Sequence, residues 1–130
     1  MLTEAESVRV EQLVRSHIAT PSREFPRLRD SGEVPLDLVG RGALQHQNSR
    51  IRRCCLILLD HLGDERHIEV FAAAVQSDAV PRNRRHALHA LTCQKCKATE
   101  MCVDVTGYVE ACAEGDPNAK VRDLARSLLQ

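Results

Sequence analysis

Ile51-Arg52-Arg53-Cys54-Cys55-Leu56-Ile57-Leu58-Leu59-Asp60-His61-Leu62-Gly63-Asp64 is the stretch whose reading decides the fold. Ile51, Cys54, Cys55, Leu58 and Leu62 stand at i, i+3, i+4, i+7 and i+11, which places them on one face of a helix. Gly63 stands where a left-handed C-cap is favoured, and Asp64 can cap a following helix. The phrase then returns. Arg82-Asn83-Arg84-Arg85-His86-Ala87-Leu88-His89-Ala90-Leu91 is a second copy, and Lys120-Val121-Arg122-Asp123-Leu124-Ala125-Arg126-Ser127-Leu128-Leu129 is a third. Counted from Arg52 to Arg84 and on to Arg122, the spacing is about 32 and then 38 residues. A period in this range signals stacked helical pairs, because one pair cannot bury its own apolar stripe and must lean on its neighbours.

Working outward, residues 4–18 read as an amphipathic helix with Val10, Leu13, Val14 and Ile18 inward, and Thr3 with Glu6 forms a capping box. Pro21, Pro26, Gly32 and Pro35 break the pattern, so residues 19–35 read as a loop. A short helix follows over 36–46. After Asp64 a helix carries Ile68, Val70, Phe71, Ala74 and Val75. Another runs from 82 to at least 92, and a further one from 99 to 113 with Met101, Cys102, Val105, Tyr108, Val109 and Cys112 inward. Asp116 suits an N-cap and Pro117 the first helical position of the last helix. No stretch reads as a strand.

The chain has 130 residues, 43% of them apolar, which suits one domain with a core of its own. Basic and acidic side chains number 18 each, so the formal charge is zero, which argues against a strongly basic nucleic-acid module but not against a local patch. No apolar run approaches the ~20 residues that span a bilayer. The acidic start, Met1-Leu2-Thr3-Glu4-Ala5-Glu6, does not read as a signal peptide. The expected location is the cytoplasm, with the six cysteines reduced.

The three copies resemble HEAT-like repeats of the short bacterial type, including those of phycobilin lyases. The resemblance rests on Val-Arg-x-x-Ala-x-x-Ala-Leu followed by Leu-Gly-Asp, matched closely by residues 51–64, and covers residues 36–130. In the middle copy, polar Asn83 and His86 stand where the family is usually apolar. The resemblance implies an all-α fold: a right-handed α-α superhelix of about three helical pairs with an N-terminal capping helix. Its boundaries are one domain, 1–130, with the first helix over 1–18, the loop over 19–35, and repeats over 36–64, 65–97 and 98–130.

Two patterns bear on chemistry. Arg52, Arg84 and Arg122 share one repeat position, and Arg53 and Arg85 share the next, where the third copy has Asp123. Stacking would align them as a strip for anions or a phosphate backbone. The alternative is that they bond the turn acids Asp64, Asp78 and Asp116, which is the use the family makes of the first Arg. Separately, His86, His89, Cys93 and Cys96 fall within an arc of about 80° on one helix. With Cys102 arriving from the next helix, His89, Cys93, Cys96 and Cys102 are the candidates for a zinc site, since imidazole and thiolate suit that ion; packing is the competing role. No Gly-rich phosphate loop, Gly-x-Ser-x-Gly or His-Glu-x-x-His is present.

The expected function is therefore non-catalytic: a repeat scaffold binding a protein partner through its inner helices at Arg53, Ile57, Asp60, Arg85, His89 and Asp123. The alternatives are a nucleic-acid-backbone module, as in HEAT-like DNA glycosylases, and a lyase-like or regulatory enzyme subunit. No catalytic residue carries over for the last, and no cofactor is expected unless the His/Cys run holds zinc.

Overall fold

The computed structural model describes residues 1–94, 97 and 102–130. Among the described residues there are eight α-helices and no strand. They are α1 (Glu4–His17), α2 (Phe25–Ser31), α3 (Leu36–Gln45), α4 (Ser49–Leu62), α5 (Ile68–Ser77), α6 (Pro81–Thr92), α7 (Thr106–Gly115) and α8 (Ala119–Leu128). Short 3-10 turns, Ser22–Glu24 and Glu65–His67, lead into α2 and α5. No described helix is long and apolar enough to cross a membrane.

Helices adjacent in sequence pack on each other: α3 on α4, α5 on α6, α7 on α8. The second members also touch in series, α4 on α6 and α6 on α8, as do α3 on α5 and α5 on α7. The repeat phrases thus supply α4, α6 and α8. Helix α4 lies at the centre, against α1, α2, α3 and α6. For that reason it buries more than the single stripe its periodicity indicates. Cys55, Leu58 and Leu62 are buried as expected, and Leu56 and Leu59 are fully buried beside them. Phe71, Leu88, Leu91 and Val121 carry the core onward through α5, α6 and α8.

Local chemistry explains how the helices start. Thr3 Oγ1 accepts from Glu6 N at 3.1 Å and Glu6 Oε1 accepts from Thr3 N at 3.0 Å, closing the capping box of α1. Arg41 of α3 reaches the same carboxylate with both terminal nitrogens. The Arg41 bond, then the Thr3 backbone bond, hold Glu6 down at about 2. Where α1 meets α3, closeness depends on Gly42. A Cβ there would stand 2.8 Å from Val10 Cγ1 and 3.1 Å from Cys55 Sγ.

Four expectations are corrected. Residues 19–35 are not a loop throughout, because α2 forms within them. Pro26 sits in its first turn, where a missing N–H costs nothing, and Gly32 closes it at φ 69°. Buried Phe25 docks α2 by stacking on His61 of α4, with ring centroids 4.4 Å apart, and Arg29 donates to the His61 carbonyl. Gly63 does not use a left-handed backbone: its φ is −88° and its ψ −175°. It is small because Leu59 O and His67 Nδ1 would lie 2.6 and 2.8 Å from any Cβ.

The third correction concerns α7, which begins at Thr106 rather than near 99. Cys102 is exposed outside any helix, while Val109 and Cys112 are buried as expected. Met101 lies outside the described residues. Finally, the N-cap of α8 is Asn118, whose side chain accepts from Lys120 N and Val121 N. Asp116 is not available for that task, since its carboxylate accepts from Arg84 and from Asn118 N.

Candidate functional site

The basic residues that open the repeats divide into two sets. Arg52 and Arg84 face inward and join consecutive turns. Arg52 donates from Nη1 to His46 O at 2.9 Å and from Nε to Asp78 Oδ2 at 3.0 Å. Arg84 repeats the geometry one unit later, with Nη1 to Asp78 O at 2.8 Å and Nε to Asp116 Oδ2 at 2.8 Å. Arg122 keeps the carbonyl half of the pattern, donating to Asp116 O at 2.7 Å. A guanidinium suits this position because its planar fork satisfies a carboxylate and a carbonyl together. Of the three acids expected as partners, Asp78 and Asp116 fill the role. Asp64 instead caps the Glu65–His67 turn and pairs with Arg66. Arg52 and Arg84 are therefore withdrawn from any phosphate strip.

Asn83 completes this inner network. It occupies the repeat position of Ile51 and Val121 and is fully buried. Its Nδ2 donates to Ser49 O at 2.9 Å and to Asp78 Oδ2 at 3.3 Å, and its Oδ1 accepts from Arg53 Nη1 at 3.3 Å. The polar residue in the middle copy is thus a fully bonded junction between α4, α6 and the Asp78 turn. Arg53, expected on the surface, is half-buried and held by it.

The second set faces outward onto a groove of about 650 Å³ running across α4, α6 and α8. Ile57, Leu124 and Leu128 supply its apolar surface; Arg82, Arg85, His61, His86, His89 and Thr92 supply its polar side chains, with Asp60 at the base. Four of the residues expected to bind a partner, Ile57, Asp60, Arg85 and His89, converge here. Asp123 does not line the groove; it is exposed and pairs with Arg126 at 3.3 Å. The expected binding set left out His61, Arg82, His86, Thr92, Leu124 and Leu128. Spacing alone signals Arg82, one turn before His86, and His61, one turn after Ile57, whereas Leu124 and Leu128 reach the groove only through packing between helices.

The groove is electrostatically one-sided. Asp60 is buried, and Lys97 donates to it from a fully buried ammonium that also lies 5.3 Å above the Phe71 ring. His89 Nε2 is 3.5 Å from its other oxygen. The one acid that lines the groove among the described residues is thereby paired from within. Burial, then the positive charges of Arg53, Arg82, His89 and Arg85, push the His86 imidazole below its ordinary range. His61 is also lowered, first by burial; Asp60 opposes this, while Lys97, His89 and Arg29 add to it. Among the described residues, neither Arg82 nor Arg85 bonds a carboxylate.

The His/Cys run is only partly within view. His86 and His89 point into the groove, Cys93 is half-buried just beyond α6, and Cys102 is exposed. Cys96 lies outside the described residues. Among the described residues, no three His, Cys, Asp or Glu side chains gather closely enough to hold a metal ion. Compared with protein-family models, with curated proteins and with solved structures, the chain finds no significant match.

Proposed function

We propose that this chain is a non-catalytic HEAT-like repeat scaffold, a solenoid of three helical pairs capped by α1, which binds a protein partner in the groove over α4, α6 and α8. The observation that carries the reading is the convergence of side chains from three successive repeats on one open concavity, while the inner arginines are consumed in joining the repeats. A repeat array that contacts itself only through neighbours leaves such a surface continuous across units, which suits an extended partner. The groove offers exposed Arg85 beside apolar Leu124 and Leu128, a mixture suited to protein recognition.

The test is affinity capture from native lysate with the full chain and with Arg85→Glu and Leu128→Glu, both changes at exposed positions. A partner retained by the unaltered chain and lost by both variants, with unchanged thermal unfolding, supports the reading. Recovery of no protein, or of the same proteins by the groove variants, overturns it. Salt-sensitive retention of duplex DNA in place of protein would favour the phosphate-backbone alternative.

A further inference from the structure

The groove has a chemistry more specific than that of a general interaction surface. Among the described residues its one acid, Asp60, is already paired with buried Lys97. Its outward cations, Arg82 and Arg85, have no carboxylate among the described residues. Half-buried His86 lines the groove with them, as does His61, which stacks on Phe25. An entering side chain thus meets two guanidinium groups, imidazoles and aliphatic carbons, and among the described residues the groove's one carboxylate, Asp60, is paired with Lys97.

We propose that the groove takes an acidic, leucine-bearing segment of the partner protein, with its carboxylates on Arg82 and Arg85, and that His61 and His86 take up protons as it docks. The inference rests on the scaffold reading and names its partner's chemistry. Charge complementarity selects the occupant: a carboxylate relieves the cation crowding that the groove builds, and the aliphatic wall accepts a leucine side chain.

The proton linkage follows from what faces each imidazole. His86 sees Arg82, Arg85 and His89 on its own helix and Arg53 on α4; His61 sees Asp60, His89 on α6, Arg29 on α2 and Lys97. In the free groove burial and these cations lower both imidazoles, with Asp60 opposing the shift at His61. A bound carboxylate favours the charged form and raises both. Binding then tightens as pH falls from the bound-state value toward the lower free-state value, and levels off below it.

The experiment is fluorescence anisotropy of the full chain with a short fluorescein-labelled peptide of Asp, Glu and Leu, beside its Asn/Gln counterpart. Between about pH 8 and about pH 6 the acidic peptide should gain roughly tenfold in affinity. Arg85→Glu should weaken it by at least roughly tenfold, while Arg9→Glu on α1, the same charge change away from the groove, leaves it unaltered. His86→Gln, which cannot take the proton, should reduce the pH slope with less effect near pH 8. Equal binding of the amide peptide, a flat pH profile, indifference to Arg85→Glu, or tighter binding of duplex DNA than of the peptide each overturns the proposal. If capture of a partner still depends on the groove while the acidic peptide fails, only this inference falls and the scaffold reading stands.

Discussion

Arg84 grips Asp116 with two parallel bonds, Nε to Oδ2 at 2.8 Å and Nη2 to Oδ1 at 3.0 Å, and both side chains are buried. The same guanidinium holds the carbonyl of Asp78, so one residue ties two successive turns of the repeat.

Removing one partner of a buried pair leaves the other charged and without its counter-ion, at a typical cost of about 3–5 kcal/mol. Arg84→Ala should therefore destabilise by about that amount in urea denaturation. Arg52→Ala should cost less, because Arg52 is more exposed than Arg84, 14% against 8%. Equal stability of Arg84→Ala and the unaltered chain would show that the ladder does not hold the turns together.

Restoring the repeat pattern at Asn83 should weaken the protein rather than strengthen it. Asn83→Val removes the donor for Ser49 O and the acceptor for Arg53, leaving part-buried polar groups each short of a partner. The expected loss is about 1–3 kcal/mol. A gain in melting temperature would mean that the position behaves as ordinary apolar core.

Two glycines should respond in opposite directions to alanine. At Gly42 a Cβ would meet Val10 at 2.8 Å, so Gly42→Ala must push α1 from α3, at a cost of about 1–3 kcal/mol. At Gly107, within α7, nothing stands within 4 Å, and Gly107→Ala should stabilise by up to about 1 kcal/mol. Differential scanning calorimetry of the two variants checks both signs.

Asp78 and Asp116 should set the acid limit of the fold. Burial pushes both carboxyls up, but bonds from Arg52, Val80 N and Asn83 to Asp78, and from Arg84 and Asn118 N to Asp116, outweigh it and hold both below their usual range. A lowered folded-state value contributes stability above the unfolded value, about 4, which is lost as pH falls through the folded one. Acid unfolding followed by circular dichroism should begin below about pH 4. In Arg84→Ala, burial without its donor raises Asp116, so the midpoint should move to higher pH.

The cysteines should react in order of access. Burial, and then neighbouring Cys54, push Cys55 up to about 12; Cys112 is also raised by burial and by Asp116. Both should resist iodoacetamide in the folded protein, while exposed Cys102 is alkylated before either, as peptide mass mapping would record. Rapid labelling of Cys55 without unfolding would contradict the packing of α4.

Helix type was legible in the chain wherever apolar residues recur at helical spacing. The helical spacing over residues 49–62 predicts both ends of α4, and Thr3 with Glu6 predicts the cap of α1. The misreadings have a common cause. Pro and Gly between 21 and 35 suggested a break, but Pro26 falls in a first turn, and the Phe25–His61 stack that docks α2 spans distant parts of the chain. Asp116 read as a cap because its long-range partner, Arg84, is invisible to local pattern. Of the groove, Ile57, Asp60, Arg85 and His89 could be read from repeat register, whereas Leu124 and Leu128 join only when α8 packs on α6.

By itself the sequence determined that this protein is helical, where most helices lie, and which faces are apolar, because these follow from backbone periodicity and nearest-neighbour chemistry. Only the tertiary structure decided which arginines are structural and which remain outward. Repeat register already set Arg52 and Arg84 apart from Arg85, but it left open whether a turn acid or an outside anion would hold them. Their fates separate because a one-residue step turns a side chain about 100° around the helix, carrying it from the buried acids of the neighbouring turns to the open groove.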